Sequence, residues 1–477
     1  MKSLMKIETD TPIVVSRIRQ HTKGRLLLIF CTFISALSIV RAAEPIRLAC
    51  VGDSITAGYG LANPGKDSYP AQLGRLLGGG WEVRNFGVSG AAMMHSGDMP
   101  YDKQKAHAEA LSWKPDIVVI ALGTNDTKDW NIGSHPGDFV PSYRALIKRF
   151  RKANPSVKIF LCLPPPAFPE AMGIRDSVLD KEILPKIRQI AKGKNLPLID
   201  FHEPLKNSGA EFPDKIHPNP DGASAIAAIV YGEVVPATQP AAKSLDPSRN
   251  TAVIPVPSLE QDSYNWWARH AECLALGPKL DPQVVLIGDS ITNFWGGEPR
   301  ARIANGPESW AATFGARRVL NLGFGWDRTQ NVLWRLDHGE LDGLHPTLVI
   351  INIGTNNFSG TAHARAGTPE EIAQGVLKIR EAVLAKCPQA HILIMAVFPR
   401  GNNAADGRRP GILSLNRILA KSLADLPQTT FLDIGNRFLD GHGNISSEIL
   451  PDGTHPSEQG YAIWSRALVE SGLLPQS

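Results

Sequence analysis

The sequence predicts an α/β protein of two tandem domains, each a three-layer α/β/α unit around a five-stranded parallel sheet. Two patterns carry this expectation. Apolar runs rich in Val, Ile and Leu alternate with stretches whose apolar residues recur at three- and four-residue spacing, as buried parallel strands alternate with amphipathic helices. Four short motifs also occur twice, in the same order and at nearly constant separation, so a whole domain has been duplicated. At 477 residues, 43% hydrophobic and 20% charged, the chain gives each copy enough length for its own core.

The first segment stands apart. Residues 1–43 hold seven Lys or Arg and two acids. Basic residues from Arg17 to Arg25 precede the apolar run 26–40, and Ala42 and Ala43 follow it. That order is expected of a secretory signal, and the run is short for a hydrocarbon core of about 30 Å. Export to the periplasm or beyond, removal of the leader and no lasting membrane insertion are therefore expected. The formal charge of +4 falls to −1 once residues 1–43 are set aside, which removes the case for nucleic acid as a partner.

The first domain is expected over residues 44–235, with strands at 46–51, 81–86, 116–122, 157–163 and 196–200. Residues 142–152 and 178–192 show helical spacing between them. Cys50 and Cys162 fall inside apolar runs, where buried free thiols are expected. Residues 236–258 carry Pro236, Pro240, Pro247, Pro255 and Pro257 among Ala, Ser and Thr, the composition of a semi-extended linker. The second domain, residues 259–477, repeats the scheme with strands at 284–287, 318–322, 348–353, 391–397 and 429–433.

The repeated motifs follow predicted strands or lie in the last loop of each copy, so they converge on the carboxyl edge of a sheet, where such folds hold their ligands. Gly52-Asp53-Ser54-Ile55-Thr56 recurs as Gly288-Asp289-Ser290-Ile291-Thr292, and Asn85-Phe86-Gly87 as Asn321-Leu322-Gly323, both at an offset of 236. Gly123-Thr124-Asn125 recurs as Gly354-Thr355-Asn356 at 231, and Asp214-Lys215-Ile216-His217-Pro218 as Asp452-Gly453-Thr454-His455-Pro456 at 238.

Each motif has a chemical and a structural explanation. Ser54, at a strand-to-helix turn, suits a nucleophile in the crevice, and suits a helix N-cap equally well. Asp214 and His217, three apart in a tight turn, suit a base held by its orienting carboxylate, or simply a polar surface turn. Gly87 offers a main-chain N–H and Asn125 a side-chain amide to a developing oxyanion, an effect of roughly 3–4 kcal/mol per donor. A turn glycine and an Asx-turn explain them as well. Recurrence of the complete set decides for chemistry. In the second copy the same roles fall on Ser290, Asp452, His455, Gly323 and Asn356.

These four blocks resemble those of the SGNH (GDSL) hydrolase superfamily, and the likeness covers nearly the whole chain after the leader, twice. The resemblance implies a flavodoxin-like fold and metal-independent ester hydrolysis through an acyl-serine. Through Asn321-Leu322-Gly323-Phe324-Gly325-Trp326-Asp327, the second copy is similar to intracellular platelet-activating-factor acetylhydrolase subunits, which usually carry glycine where Trp326 stands. The first, through Asn85 to Gly90 and Gly123-Thr124-Asn125-Asp126, looks more like bacterial acetylesterases of carbohydrate or sialate.

The expectation is thus an exported serine esterase with two catalytic domains, hydrolysing acetyl or other small-acyl esters, with O-acetylated carbohydrate as the favoured partner. The alternatives are a lipid esterase or thioesterase, against which the lack of a long apolar lid segment weighs, and one active copy with the other serving to bind substrate. No Walker sequence or strand-following G-x-G-x-x-G occurs, and the scattered histidines lack metal-ligand spacing, so no cofactor and no metal are expected. Trp130, Trp266, Trp267, Trp295 and Trp326 fit either sugar-stacking platforms or core positions.

Overall fold

Among the described residues, ten strands form two separate five-stranded sheets in which every pairing is parallel. The computed structural model describes residues 44–168, 171–239, 246 and 248–476, so the expected leader lies outside the described residues. In the first sheet β1 (Ile46–Gly52) lies between β2 (Trp81–Gly87) and β3 (Ile117–Ala121), with β4 (Lys158–Leu163) and β5 (Leu198–Asp200) beyond β3. The second sheet has the same order: β7 (Val319–Gly323), β6 (Val284–Gly288), β8 (Leu348–Asn352), β9 (His391–Met395), β10 (Thr429–Leu432). All ten lie where the apolar runs predict them.

The strands lack hydrophobic alternation because helices cover both faces. Successive residues of a strand point to opposite sides, so Leu48 and Cys50 enter one core while Ala49 and Val51 enter the other. Val284 and Leu286 are divided in the same way from Val285 and Ile287. Cys50, Cys162, Cys273 and Cys387 are free and buried. The expected helix at 142–152 spans Phe139–Ala153. The one at 178–192 becomes a wide π turn, Leu179–Ile183, followed by the helix Leu184–Lys194.

In each sheet the chain leaves its first strand, β1 or β6, towards one edge and returns to that strand's other side. This reversal between β1 and β3, and between β6 and β8, opens a crevice at the carboxyl ends. All the repeated motifs gather there.

The segment expected to link the domains is structured at both ends. The helix Pro220–Thr238 runs through Pro236. From Asn250 onward the chain is bonded to the second domain: Thr329 Oγ1 donates to Ala252 O (2.8 Å) and Asn331 Nδ2 to Pro257 O (2.7 Å). The helix Trp266–Leu280 then packs on Pro220–Thr238, placing Ala271 in a core of the first domain and Trp267 against cores of both. Gly232 permits this approach, since a Cβ there would lie 3.0 Å from Ala268 Cβ and 3.1 Å from Ala268 N. Gly232→Leu is expected to overpack the contact and cost about 1–3 kcal/mol, read as a fall of several degrees in the calorimetric midpoint. An unchanged midpoint would show that the two helices are free to separate.

Candidate active site

β1 ends at Gly52 and a four-residue helix starts at Ser54. The cap of that helix is Asp53, whose Oδ1 accepts the Ile55 N–H at 3.0 Å. Asp289 caps the equivalent helix through Ile291 at 2.9 Å. Because the aspartates cap, the serine hydroxyls are not used for it. Ser54 Oγ lies 2.8 Å from His217 Nε2, and Ser290 Oγ lies 2.8 Å from His455 Nε2.

The three-residue spacing of Asp214 and His217 works through a tight turn. Asp214 Oδ1 accepts the N–H groups of Ile216 (3.0 Å) and His217 (2.7 Å), and Oδ2 meets His217 Nδ1 at 2.6 Å. Asp452 Oδ1 accepts from Thr454 and His455, and Oδ2 meets His455 Nδ1 at 2.6 Å. Burial disfavours the charge of Asp214 and Asp452, but hydrogen bonds from the histidine imidazole and the turn N–H groups outweigh it. Both carboxyls stay below the ordinary range. A carboxylate that is ionised and bonded to Nδ1 leaves Nε2 as the acceptor facing the serine.

An aromatic ring covers each imidazole: Tyr59 at 4.5 Å between centroids from His217, and Phe294 at 5.1 Å from His455. Neither was legible in the sequence, since no spacing links them to the histidines. The second centre is more open, with the His455 side chain 26% exposed against 8% for His217.

The glycines require a correction. Gly87 and Gly323 were expected to offer free N–H groups, but Asn85 Oδ1 accepts the Gly87 N–H at 2.9 Å and Asn321 Oδ1 the Gly323 N–H at 2.8 Å. They are glycines for lack of space: a Cβ on Gly87 would lie 2.3 Å from Ala57 N, and one on Gly323 2.3 Å from Asn293 N. The free donors lie three residues on. Ala91 N–H closes a turn on Val88 O at 3.0 Å, with Gly90 at φ 83° in its third position. Asp327 N–H closes the equivalent turn on Phe324 O at 3.2 Å, with Trp326 at φ 62°. Among the described residues the Gly90 and Trp326 N–H groups have no protein acceptor. The positive φ that a second glycine after Asn-x-Gly permits is the signal that could have found this position.

Asn125 and Asn356 are buried beside these turns. Asn125 Nδ2 donates to Ala91 O and Asn356 Nδ2 to Asp327 O, both at 3.1 Å, leaving the second hydrogen of each amide for the crevice. The two copies clamp the turn differently. Asp126 accepts from Met93 and Met94 N–H, each at 2.8 Å, whereas in the second copy Asn357 accepts from Thr329 N–H at 3.0 Å.

Of the tryptophans, Trp266 and Trp295 are core residues, while Trp130 and Trp326 are exposed. Among the described residues, no group of three or more His, Cys, Asp and Glu side chains is arranged to hold a metal ion.

The profile of the GDSL-like lipase/acylhydrolase family matches the chain twice, over residues 50–225 and 286–463. An acetylxylan esterase of Xylanibacter ruminicola is 41% identical over 208 residues, which are 40% of this chain and 43% of that protein. The chain thus spans less than half the length of that relative. Platelet-activating factor acetylhydrolase IB subunit alpha1 of Rattus norvegicus is 33% identical over 214 residues, 45% of this chain and 84% of that protein. Among solved structures, an acetylxylan esterase from Geobacillus stearothermophilus has a TM-score of 0.31 and 25% identity, covering 40% of this chain and 94% of its own.

Buried carboxyls of the site depart in the other direction. Burial pushes Asp53 up to about 6, and Asp126 and Asp289 up to about 7, against the hydrogen bonds they accept. A carboxyl whose pKa is raised on folding stabilises the fold fully below its unfolded value near 4. That contribution is lost as pH rises through the folded value. Stability is therefore expected to fall between about pH 4 and pH 8, Asp126 alone contributing on the order of 4 kcal/mol. Asp126→Asn removes the titrating proton, though it keeps only one of the two accepted N–H bonds, and should flatten the decline in urea-unfolding free energy over that range. Identical pH slopes for variant and parent would count against the buried, proton-holding carboxyl.

Proposed function

Because the chain belongs to the GDSL-like lipase/acylhydrolase family, and is a carboxylic ester hydrolase, we propose that both of its centres are active and remove acetyl groups from carbohydrate. The observation that carries this reading is the completeness of each centre. Serine, histidine and aspartate stand at the same 2.8 and 2.6 Å distances in both copies. Acetyl as the acyl group is supported by two relatives, one named an acetylxylan esterase and the other an acetylhydrolase. Carbohydrate is supported by the first of these, and by the near-neutral charge of residues 44–477. Export is supported by the basic and apolar order of residues 1–43.

In the proposed reaction His217 Nε2 takes the proton of Ser54 Oγ as the oxygen attacks the ester carbonyl. Asp214 holds the imidazolium that results. The oxyanion receives the main-chain N–H groups of Ser54 and Gly90 and the Nδ2 amide of Asn125. The histidine returns its proton to the departing sugar oxygen, leaving acetyl-Ser54. Water, deprotonated by the same imidazole, then adds to the acyl carbon, and collapse releases acetate and restores the Ser54 hydroxyl. Ser290, His455, Asp452, Trp326 N–H and Asn356 repeat these steps in the second centre.

Two sites on one chain raise the local concentration of catalyst along a polymer without new contacts. Acetate release from acetylated xylan tests the reading. Ser54→Ala and Ser290→Ala should each retain one centre's share, and the double variant should lose at least about 10³-fold, the order seen when a triad member is removed. A fluorophosphonate should label two serines per chain. A double variant as active as the parent would refute the mechanism, and a single labelled serine would leave one copy as a binding module.

A further inference from the structure

We propose that Trp326 is the specificity residue of the second centre, its indole stacking on the apolar face of the pyranose ring that carries the ester. This rests on the reading of the chain as an acetyl esterase of carbohydrate. The duplication supplies the comparison. In both copies the turn after the second strand begins on the nucleophile's own strand, where Val88 N–H bonds Gly52 O and Phe324 N–H bonds Gly288 O, each at 3.0 Å. In both it ends on the residue whose carbonyl holds the asparagine amide, Ala91 or Asp327. The third position of the turn therefore lies between the serine and the asparagine, at the mouth of the crevice. The first copy has Gly90 there, and the second has the largest side chain available.

Tryptophan is a poor choice for that position on backbone grounds. At φ 62° it occupies the left-handed region, which a bulky residue rarely adopts and which persists only where the surroundings enforce it. They do so here. Tyr264 Oη accepts the Gly325 N–H at 2.7 Å, and Trp266 Nε1 donates to Asp327 Oδ1 at 2.7 Å, so the residues on both sides of Trp326 are held from the domain junction. The Asp262 carboxylate also covers Gly325, where a Cβ would lie 1.5 Å from Oδ2. Packing does not explain the residue either. Trp326 is 44% exposed, belongs to no core cluster, and among the described residues makes no ring contact or side-chain hydrogen bond. An exposed aromatic face held in a strained conformation, in a centre whose histidine is more open than its twin, suits a ring-shaped alcohol moiety.

The test uses the full chain carrying Ser54→Ala, so that only the second centre reports. Its substrates are an acetylated methyl xylopyranoside and ethyl acetate, which has no ring. Trp326→Asn tolerates the backbone conformation and removes the ring, whereas Trp326→Phe keeps an aromatic face. The expected result is a fall of about tenfold in the kcat/KM ratio of xyloside to ethyl acetate for Trp326→Asn, carried mainly by KM, with Trp326→Phe retaining most of the preference. An unchanged ratio in Trp326→Asn, or equal losses in both variants, overturns the assignment and leaves the esterase reading intact. If neither the Ser54→Ala nor the Ser290→Ala chain turns over the xyloside while both cleave ethyl acetate, the carbohydrate reading itself fails.

Discussion

Everything at each centre depends on one close approach of main chains. The register of the sheets places Gly52 opposite Gly87 and Gly288 opposite Gly323. Beyond those pairs the nucleophile's helix lies directly on the end of the neighbouring strand. No side chain fits between them, and any Cβ would have to displace main-chain atoms. Backbone cannot yield as a flexible side chain does, so the contact fixes the serine and the donor turn relative to each other. Asn85 and Asn321 complete it: each amide accepts the glycine N–H and donates to a carbonyl of the nucleophile's helix, Thr56 O or Thr292 O. Pre-alignment of this kind lets an oxyanion site act without reorganisation.

Outward from that contact the two copies use different chemistry for one mechanical task. In the first, a buried carboxyl spans two main-chain N–H groups of the donor loop. In the second, a buried polar chain runs from Trp266 through Asp327, Arg335 and Glu340 to His270, with Arg335 Nε 2.8 Å from Asp327 Oδ2. Such a network is a weak source of stability against a well-packed apolar alternative, yet losing one member leaves an uncompensated buried charge. Its value here is geometric. The helix Trp266–Leu280, which carries two of its members, also packs on the first domain, so the junction between the domains bears on the donor turn of the second centre.

Most of the framework was legible in the sequence because its determinants are local or repeated. Ten apolar runs became ten strands, and the duplication separated Ser54, Asp214, His217 and Asn125 from their structural look-alikes. What could not be read depends on where one polar group spends its hydrogen bond. The N–H of Gly87 looks free in the sequence until Asn85, two residues earlier, folds its amide onto it. Ser54 looks like a helix cap until Asp53 is seen to fill that place. Tyr59 and Phe294 cover the imidazoles only through tertiary folding. The proline-rich stretch resembled a linker because composition reports stiffness, not the partners that Ala252, Val256 and Pro257 find on the second domain.

The distribution of backbone strain shows what the duplication has kept and what it has changed. Each centre needs two left-handed positions, one in the donor turn and one in the turn between aspartate and histidine. The first centre fills them with Gly90 and Lys215, at φ 83° and 77°; the second with Trp326 and Gly453, at 62° and 72°. Each copy thus has glycine at one of these positions and accepts strain at the other, and the strained position has exchanged turns. In the proposed reaction the main-chain atoms that these conformations aim are those that meet the oxyanion and orient the base. The side chains are not bound to that role. A strained position at the rim is therefore where a duplicated site can diverge in what it admits without altering what it does.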